Sequence, residues 1–322
     1  MTVADVFEDS ERKVLRPSAL HAAAARVAPY IRRTPVLQAK ADGRPVVFKL
    51  EHLQVTGSFK IRGALNALLS AGAADGHLAR VVTASGGNHG LGVATAARWL
   101  RVPATVFVPG TVPEVKARRI AEAGAEVVRT GDRYADAERA ARKLAARDGA
   151  YYVHAYDDPA VVAGQGTVGL EIAADSEGGG GGGWGDTVAV PVGGGGLLAG
   201  VAAAVAPRHT VAVESEGCPS LHAAAEAGKP ADAAAGGVAA SALGATRAGE
   251  LAFAAYSAFG IGLAMVSDNE ILAARDRLWE EFRLAVEPAA ATVFAAWLAG
   301  RVPGERACLV LSGANAAWAP AA

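Results

Sequence analysis

Four short segments of the chain carry residue types that chemistry needs. The first is Thr56-Gly57-Ser58-Phe59-Lys60, where a lysine opens a helix-compatible stretch between the apolar neighbours Phe59 and Ile61. A lysine at a helix start is ordinarily a solvated charge, badly placed against the helix dipole. Apolar flanks instead favour desolvation, which lowers an amine's pKa and lets it form a Schiff base with a carbonyl. The second segment is Gly193-Gly194-Gly195-Gly196, between the apolar run 187–192 and a helix-compatible stretch at 197–205. Strand, glycine loop and helix start make an anion site of backbone N–H donors, without any Lys or Arg in the loop. A tight turn with close helix–sheet packing is the other reading of this loop. The third and fourth are Ser85-Gly86-Gly87-Asn88-His89-Gly90, whose N–H groups suit a carboxylate, and Leu311-Ser312-Gly313-Ala314-Asn315.

The elements that must position these segments alternate along the chain. Strands are expected at 45–50, 81–84, 104–108, 126–129, 151–154, 187–192, 210–214 and 307–311. Helices are expected at 61–70, 89–100, 113–123, 133–148, 167–174 and 197–205, with alanine-rich helices at 251–265 and 289–298. Such alternation implies crossover units and parallel sheets, and ligands of these folds gather at the C-terminal ends of strands. The expected fold is α/β, with two open parallel-sheet lobes and the smaller inserted in the larger. Residues 1–65 and 155–322 are assigned to the large lobe and 66–154 to the small one. The six consecutive glycines at 178–183 read as a surface linker, since they offer no side chain to pack.

Composition narrows the functional classes. Hydrophobic residues make up 52% of the 322 and charged residues 20%, which excludes a wholly disordered chain. With 31 basic and 32 acidic side chains there is no cationic surplus for a phosphate backbone, so no nucleic-acid partner is expected. Cys218 and Cys308 are too few for a disulfide framework and lack metal-ligand spacing. Between Asp186 and Arg208 lie 21 uncharged residues, but Pro191 and the glycine loop make them a poor membrane helix. The N-terminus shows no basic n-region or apolar h-region. The expectation is a cytoplasmic protein with no membrane partner.

Taken together, Gly57-Ser58-Phe59-Lys60-Ile61-Arg62-Gly63-Ala64, Ser85-Gly86-Gly87-Asn88-His89-Gly90, Gly193-Gly194-Gly195-Gly196-Leu197 and Ser312-Gly313-Ala314-Asn315 resemble one family. It is the serine/threonine dehydratase (ammonia-lyase) and serine racemase branch of the fold-type-II pyridoxal-phosphate enzymes, whose lobes are tryptophan-synthase-β-like. Smaller matches at Arg33-Thr34-Pro35, Ala163-Gly164-Gln165-Gly166-Thr167 and Val286-Glu287-Pro288 extend the resemblance over nearly the whole chain, in the expected order.

The resemblance implies a role for each quoted residue. Lys60 would hold pyridoxal 5′-phosphate covalently and serve as catalytic base. Asn88 would bond the cofactor's 3-hydroxyl, the N–H groups of Gly193, Gly194, Gly195, Gly196 and Leu197 would cradle its phosphate, and Ser312 would face its pyridine nitrogen. Ser85, Asn88 and His89 would hold the substrate carboxylate, although His89 also reads as a packed helix-start residue. A serine at the ring nitrogen does not enforce protonation there, which favours early departure of a β-hydroxyl over transamination. The implied reaction is deaminating β-elimination of L-threonine or L-serine to 2-oxobutyrate or pyruvate plus ammonia, in a homodimer. The alternatives are serine racemase and another hydroxy-amino-acid eliminase, for example one acting on 3-hydroxyaspartate.

Three positions depart from the family pattern. Gly86 stands where the racemases carry a serine, so elimination is expected over racemisation. Glu214 matches a ligand of the divalent cation in relatives, but Ser220 replaces an acidic one. No metal ligands are assigned, and neither a divalent nor a monovalent cation has support from these residues. Ala314 replaces a usual glycine. The resemblance ends near Asn315, so no appended regulatory domain is expected. Outside the family, Gly194, Gly196 and Ala199, with Glu214 about twenty residues on, match the weaker dinucleotide fingerprint of a nucleotide-binding module. A non-catalytic cofactor-binding protein is a further reading.

Overall fold

The computed structural model describes residues 7–9, 14–75, 78–178, 187–206 and 209–316. The six-glycine linker lies outside them except for Gly178, and so does most of the N-terminal segment read for a secretory signal. The chain opens with an antiparallel pair, β1 (Phe7–Asp9) and β2 (Val14–Leu15), followed by α1 (Pro17–Val27). β3 (Val36–Ala41) and β4 (Arg44–Lys49) then form an antiparallel hairpin. Asp42 (φ 49°) and Gly43 (φ 74°) close it, and two such left-handed residues match the twist of the flanking strands. β3 is therefore an antiparallel edge strand on a sheet expected to be wholly parallel.

α2 (Lys60–Asp75) leads into the small lobe, which consists of β5 (Val81–Ala84), α3 (Asn88–Trp99), β6 (Ala104–Val108), α4 (Glu114–Glu122), β7 (Glu126–Arg129), α5 (Tyr134–Asp148) and β8 (Tyr151–Tyr152). Its sheet has the order β7-β6-β5-β8, and all pairs are parallel. The apolar faces of α2, α3 and α4 cover one side through Ile61, Leu65, Val93 and Ile120, while Ala137, Ala141 and Ala145 of α5 cover the other. Spacing of these alanines at four residues is the stripe that lets α5 lie close on the strands.

α6 (Pro159–Gly178) returns to the large lobe, followed by β9 (Thr187–Pro191), α7 (Gly196–Val205), β10 (His209–Ser215), α8 (Ser220–Ala227), α9 (Ala240–Leu243) and α10 (Glu250–Phe259). β11 (Gly262–Val266), α11 (Asp268–Phe282), α12 (Pro288–Leu298) and β12 (Ala307–Val310) complete it. The sheet order is β11-β10-β9-β12-β4-β3, parallel except at β3. The single helix expected at 251–265 is instead a helix and a strand. Gly260, at φ 61°, ends α10, and β11 pairs in parallel with β10 from Val211–Gly262 to Ser215–Val266. One face of the sheet is covered by α1, α6 and α7, and the other by α11 and α12, whose Phe294 and Trp297 are fully buried. α6 and α7 approach so closely that a Cβ on Gly200 would stand 2.5 Å from the Gly166 nitrogen.

The order β9-β12-β4 sets three strand C-termini side by side, those preceding the glycine loop, Ser312 and the Lys60 segment. β5 delivers the Ser85 loop from the inserted lobe. All four sequence segments thus reach one region.

Candidate active site

Lys60 is placed by pairing of its own segment with the one after β12. Phe59 N–H donates to Ser312 O (3.2 Å), Ala314 N–H donates to Gly57 O (2.9 Å), and Ser58 and Gly313 form an antiparallel bridge. Gly57, at φ 72°, supplies the left-handed turn this path needs. The result sets Lys60, the first residue of α2, beside Ser312, which is 4% exposed. The Lys60 ammonium donates to Ala155 O at 2.8 Å and stands 5.2 Å from the Phe59 ring centroid. Desolvation lowers its pKa to about 8, the charge of Glu287 opposing part of the fall. A large neutral fraction therefore exists near pH 8, and the neutral amine is the nucleophile that attacks an aldehyde.

The glycine loop leaves β9 and enters α7 through Gly195, a left-handed residue at φ 82°. Its carbonyls are tied to the protein: Gly193 O accepts from Ser220 Oγ (2.6 Å), Gly194 O from Gly249 N–H (3.0 Å) and Gly195 O from Ala199 N–H (2.9 Å). Among the described residues the N–H groups of Gly193, Gly194 and Gly195 make no hydrogen bond. Those of Gly196 and Leu197 open α7, where no intrahelical acceptor exists. Side chains have no room here, because a Cβ on Gly194 would lie 2.2 Å from the Tyr156 ring and one on Gly195 2.3 Å from Ala252 Cβ. A row of largely buried donors with its acceptors consumed suits a phosphate, and an amine of depressed pKa suits an aldehyde. Both halves of pyridoxal phosphate fit the residues present.

The Ser85 loop joins β5 to α3. Ser85 Oγ accepts from Gly87 N–H (3.2 Å), shaping the turn, and Asn88 opens the helix. Asn88 lines a cleft between the lobes with Gly86, Gly87, Lys116, Ser241 and Glu287. The His89 imidazole does not line it. Its Nε2 lies 3.0 Å from Thr83 Oγ1 and 3.3 Å from Val153 O, within the small lobe. Burial first, and then the neighbouring Lys60 charge, lower its pKa to about 3. The His89 ring thus packs inside the small lobe, which favours the packed helix-start reading of His89 over a part for its side chain in holding a carboxylate. Gly86 has its Cβ position 2.4 Å from Val112 Cγ2, so a serine there would require that valine to move.

Glu214 is consumed elsewhere. Its carboxylate accepts from Leu221 N–H (2.7 Å) and His222 N–H (2.9 Å), and it pairs with His222 Nδ1. These bonds cap α8 and turn Glu214 toward that helix, away from the glycine loop of the dinucleotide reading. Sequence reasoning missed three participants in the site. Ala155 acts through its backbone carbonyl and Tyr156 by covering the loop, and neither has a sequence signal. Glu287 stood only in the short match Val286-Glu287-Pro288.

Beneath the site Arg62, fully buried, donates from Nε and Nη2 to Glu51 (both 2.8 Å) and from Nη1 to Glu171 (2.7 Å). Lys49 Nζ, also buried, donates to the second oxygen of Glu171 (2.6 Å) and to Thr34 O (2.8 Å). This network fixes the first turn of α2 from below.

The profile of the pyridoxal-phosphate dependent enzymes matches residues 27–313. The L-threonine ammonia-lyase of Geobacter sulfurreducens is 37% identical over 296 residues, covering 88% of this chain and 72% of that protein. That of Thermotoga maritima is 34% identical over 287 residues, 86% of this chain and 68% of its own length. Among solved structures, a threonine deaminase from T.th. superposes with a TM-score of 0.87 at 37% identity, over 94% of this chain and 99% of that one. Maize serine racemase follows with a TM-score of 0.84 at 28% identity, over 93% of each chain. This chain belongs to the pyridoxal-phosphate dependent enzymes of fold type II, and pyridoxal 5′-phosphate is its cofactor.

Proposed function

We propose that the protein is a lyase that converts L-threonine and L-serine to 2-oxobutyrate and pyruvate, releasing ammonia. The observation that carries this reading is the meeting of an amine of pKa about 8, Lys60, with the uncharged hydroxyl of Ser312 and a glycine loop rich in unpaired donors. The relatives named as threonine ammonia-lyases support the substrate class. When bound, the cofactor supplies an electron-withdrawing ring that stabilises negative charge at the substrate Cα. Lys60 would hold the aldehyde, and its Nζ would take the Cα proton of the substrate. The N–H groups of Gly193, Gly194, Gly195, Gly196 and Leu197 would hold the cofactor's phosphate. Asn88 would face the ring hydroxyl, and Ser312 would face the ring nitrogen without forcing a proton onto it. Ser85 and the N–H groups opening α3 hold the substrate carboxylate.

Racemisation has less support. It needs a proton donor on the face opposite Lys60, and Gly86 has no side chain, with Val112 filling the space one would occupy. A large lobe of residues 1–65 and 155–322 and a small one of 66–154 are the division this reading carries; the strands from 81 to 152 making one sheet and those at 36–49 and 187–310 the other support it. A cytoplasmic homodimer is the assembly and place this reading carries, to be checked by sedimentation and fractionation. Among the described residues no helix is long and apolar enough to cross a membrane.

The test is incubation with L-threonine, L-serine and 3-hydroxyaspartate, measuring ammonia, keto acid and the chirality of recovered substrate. Keto acid from threonine or serine is the expected result. No keto acid from any of the three rejects the proposal, and recovered D-amino acid in excess over keto acid turns it to a racemase.

A further inference from the structure

Asn88 is held by more bonds than a ligand for one ring oxygen needs. Its Nδ2 donates to Glu287 Oε1 at 2.8 Å, and its Oδ1 accepts from Asn315 Nδ2 at 2.9 Å. Asn315 Nδ2 also donates to Thr56 O (2.7 Å), and Asn315 Oδ1 accepts from Arg119 Nη2 (2.9 Å). The ends of this chain decide the orientation of every amide in it. Arg119 can only donate, while the Thr56 carbonyl and an ionised Glu287 can only accept. Asn315 therefore has one orientation, and so does Asn88. Of the two N–H bonds on Asn88 Nδ2 one is taken by Glu287, and its oxygen is turned to Asn315. What it has left to offer is a single N–H donor.

Glu287 is an expensive choice for a merely structural contact. It is 4% exposed, precedes α12 as its N-cap, and yet makes no side-chain bond to that helix. Its carboxylate points back, taking Asn88 Nδ2 on one oxygen and Asn315 N–H (3.2 Å) on the other. It lies against Gly313, where a Cβ would stand 2.5 Å from Oε1, so it occupies the neighbourhood of Ser312. A carboxylate buried to this degree is costly unless its bonds matter.

We propose that Glu287 is a positioning residue, which acts by locking the Asn88 amide so that its remaining N–H is presented to the phenolic oxygen of the bound cofactor. The proposal rests on the assignment of Asn88 to that oxygen given above. Without the carboxylate the amide keeps only its bond from Asn315, and its remaining N–H is no longer held on the phenolic oxygen.

The experiment uses the holoenzyme and a double-mutant cycle of Glu287→Ala with Asn88→Ala, read by the cofactor dissociation constant and the visible absorption band. Hydrogen bonding at the phenolic oxygen moves that band, whereas a loss of packing alone does not. With Asn88 present, Glu287→Ala is expected to shift the band and weaken cofactor binding about tenfold. With Asn88→Ala in place it is expected to change neither. Glu287→Gln, which keeps one acceptor, is expected to recover most of the affinity. Equal effects in both backgrounds, or none in either, overturn the proposal. Should Glu287→Ala not fold, Glu287→Met, which keeps the bulk and offers no carboxylate, decides in the two backgrounds by the same rule. Borohydride reduction of the parent enzyme separates this from the wider reading: no adduct on Lys60 sinks the assignment of the site itself.

Discussion

Replacing Lys60 by methionine should stabilise the cofactor-free protein while abolishing its chemistry. The ammonium is half-buried, with one hydrogen bond, to Ala155 O, and a distant ring face. Desolvation brings its pKa from the ordinary 10.5 to about 8, after the opposing pull of Glu287 is included. At 1.36 kcal/mol per pKa unit the charged form costs about 3 kcal/mol. Partial exposure relieves some of that, and the lost hydrogen bond is worth about 1 kcal/mol. Methionine fills the same channel with an unbranched apolar stem. A net gain of about 1–2 kcal/mol is expected at pH 7.

The pH dependence gives the sharper check. Between about pH 8 and 10.5 the folded protein binds fewer protons at Lys60 than the unfolded chain, so parent stability rises with pH across that window. Below it the cost is fully present, and above it the cost is gone. The advantage of Lys60→Met should therefore be greatest below pH 8 and fade by about 10.5. Urea midpoints of the two apoproteins, cleared of cofactor with hydroxylamine, measure it. A variant no more stable than the parent at pH 7, or an advantage that does not change up to pH 10, would refute the reasoning that Lys60 is held charged at a loss.

Four further outcomes follow from the same geometry. Arg62→Met strands the buried carboxylate of Glu51, leaves Glu171 to Lys49 alone, and should cost about 3–5 kcal/mol in urea unfolding. Removing the exposed Arg118–Glu122 pair should cost less than about 1 kcal/mol. Gly194→Ala drives a methyl group into the Tyr156 ring and should weaken cofactor binding about tenfold or more, measured by fluorescence titration, with little change in the fold. On the role proposed for Ser312, Ser312→Asp sets an acid toward the ring nitrogen and should slow keto-acid formation from threonine about tenfold or more while raising transamination, read by pyridoxamine phosphate in spent enzyme.

Alternation of apolar runs and helices made the two lobes legible, because parallel strands buried on both faces need continuous apolar residues. The edges were harder. β3 runs Val-Leu-Gln-Ala-Lys-Ala, half-buried and without β-branched density, though Asp42-Gly43 after it is a hairpin signal. α11 was missed although Ser267 and Glu270 form a capping box, because its charged residues conceal a narrow stripe at Ile271, Ala274 and Leu278. The run 251–265 was misread since apolar content there is uniform, and only Gly260 marks the change from helix to strand. At the site, Lys60, the glycine loop and Ser312 were visible as types in order. The partners of Asn88 were not, because Glu287 lies 199 residues away and only folding brings the two together.

Lys60 and Arg62 show why position on a helix decides what a charge does. They stand two residues apart on the first turn of α2, about 200° around the axis, so they face opposite directions. Arg62 looks into the large lobe and meets two carboxylates and the Thr167 hydroxyl, the arrangement that keeps a buried guanidinium charged and inert. Lys60 looks into the site and meets one neutral carbonyl, with Glu287 acting on it only through space. The same backbone turn thus supplies an anchor and a reactive amine. The anchor is what lets the amine stay desolvated: with Arg62 pinned at Glu51 and Glu171, the turn cannot rotate to carry the Lys60 ammonium out to water. If Arg62→Met folds at all, its Lys60 should titrate closer to 10.5 than to 8, which would separate positioning by the network from mere stability.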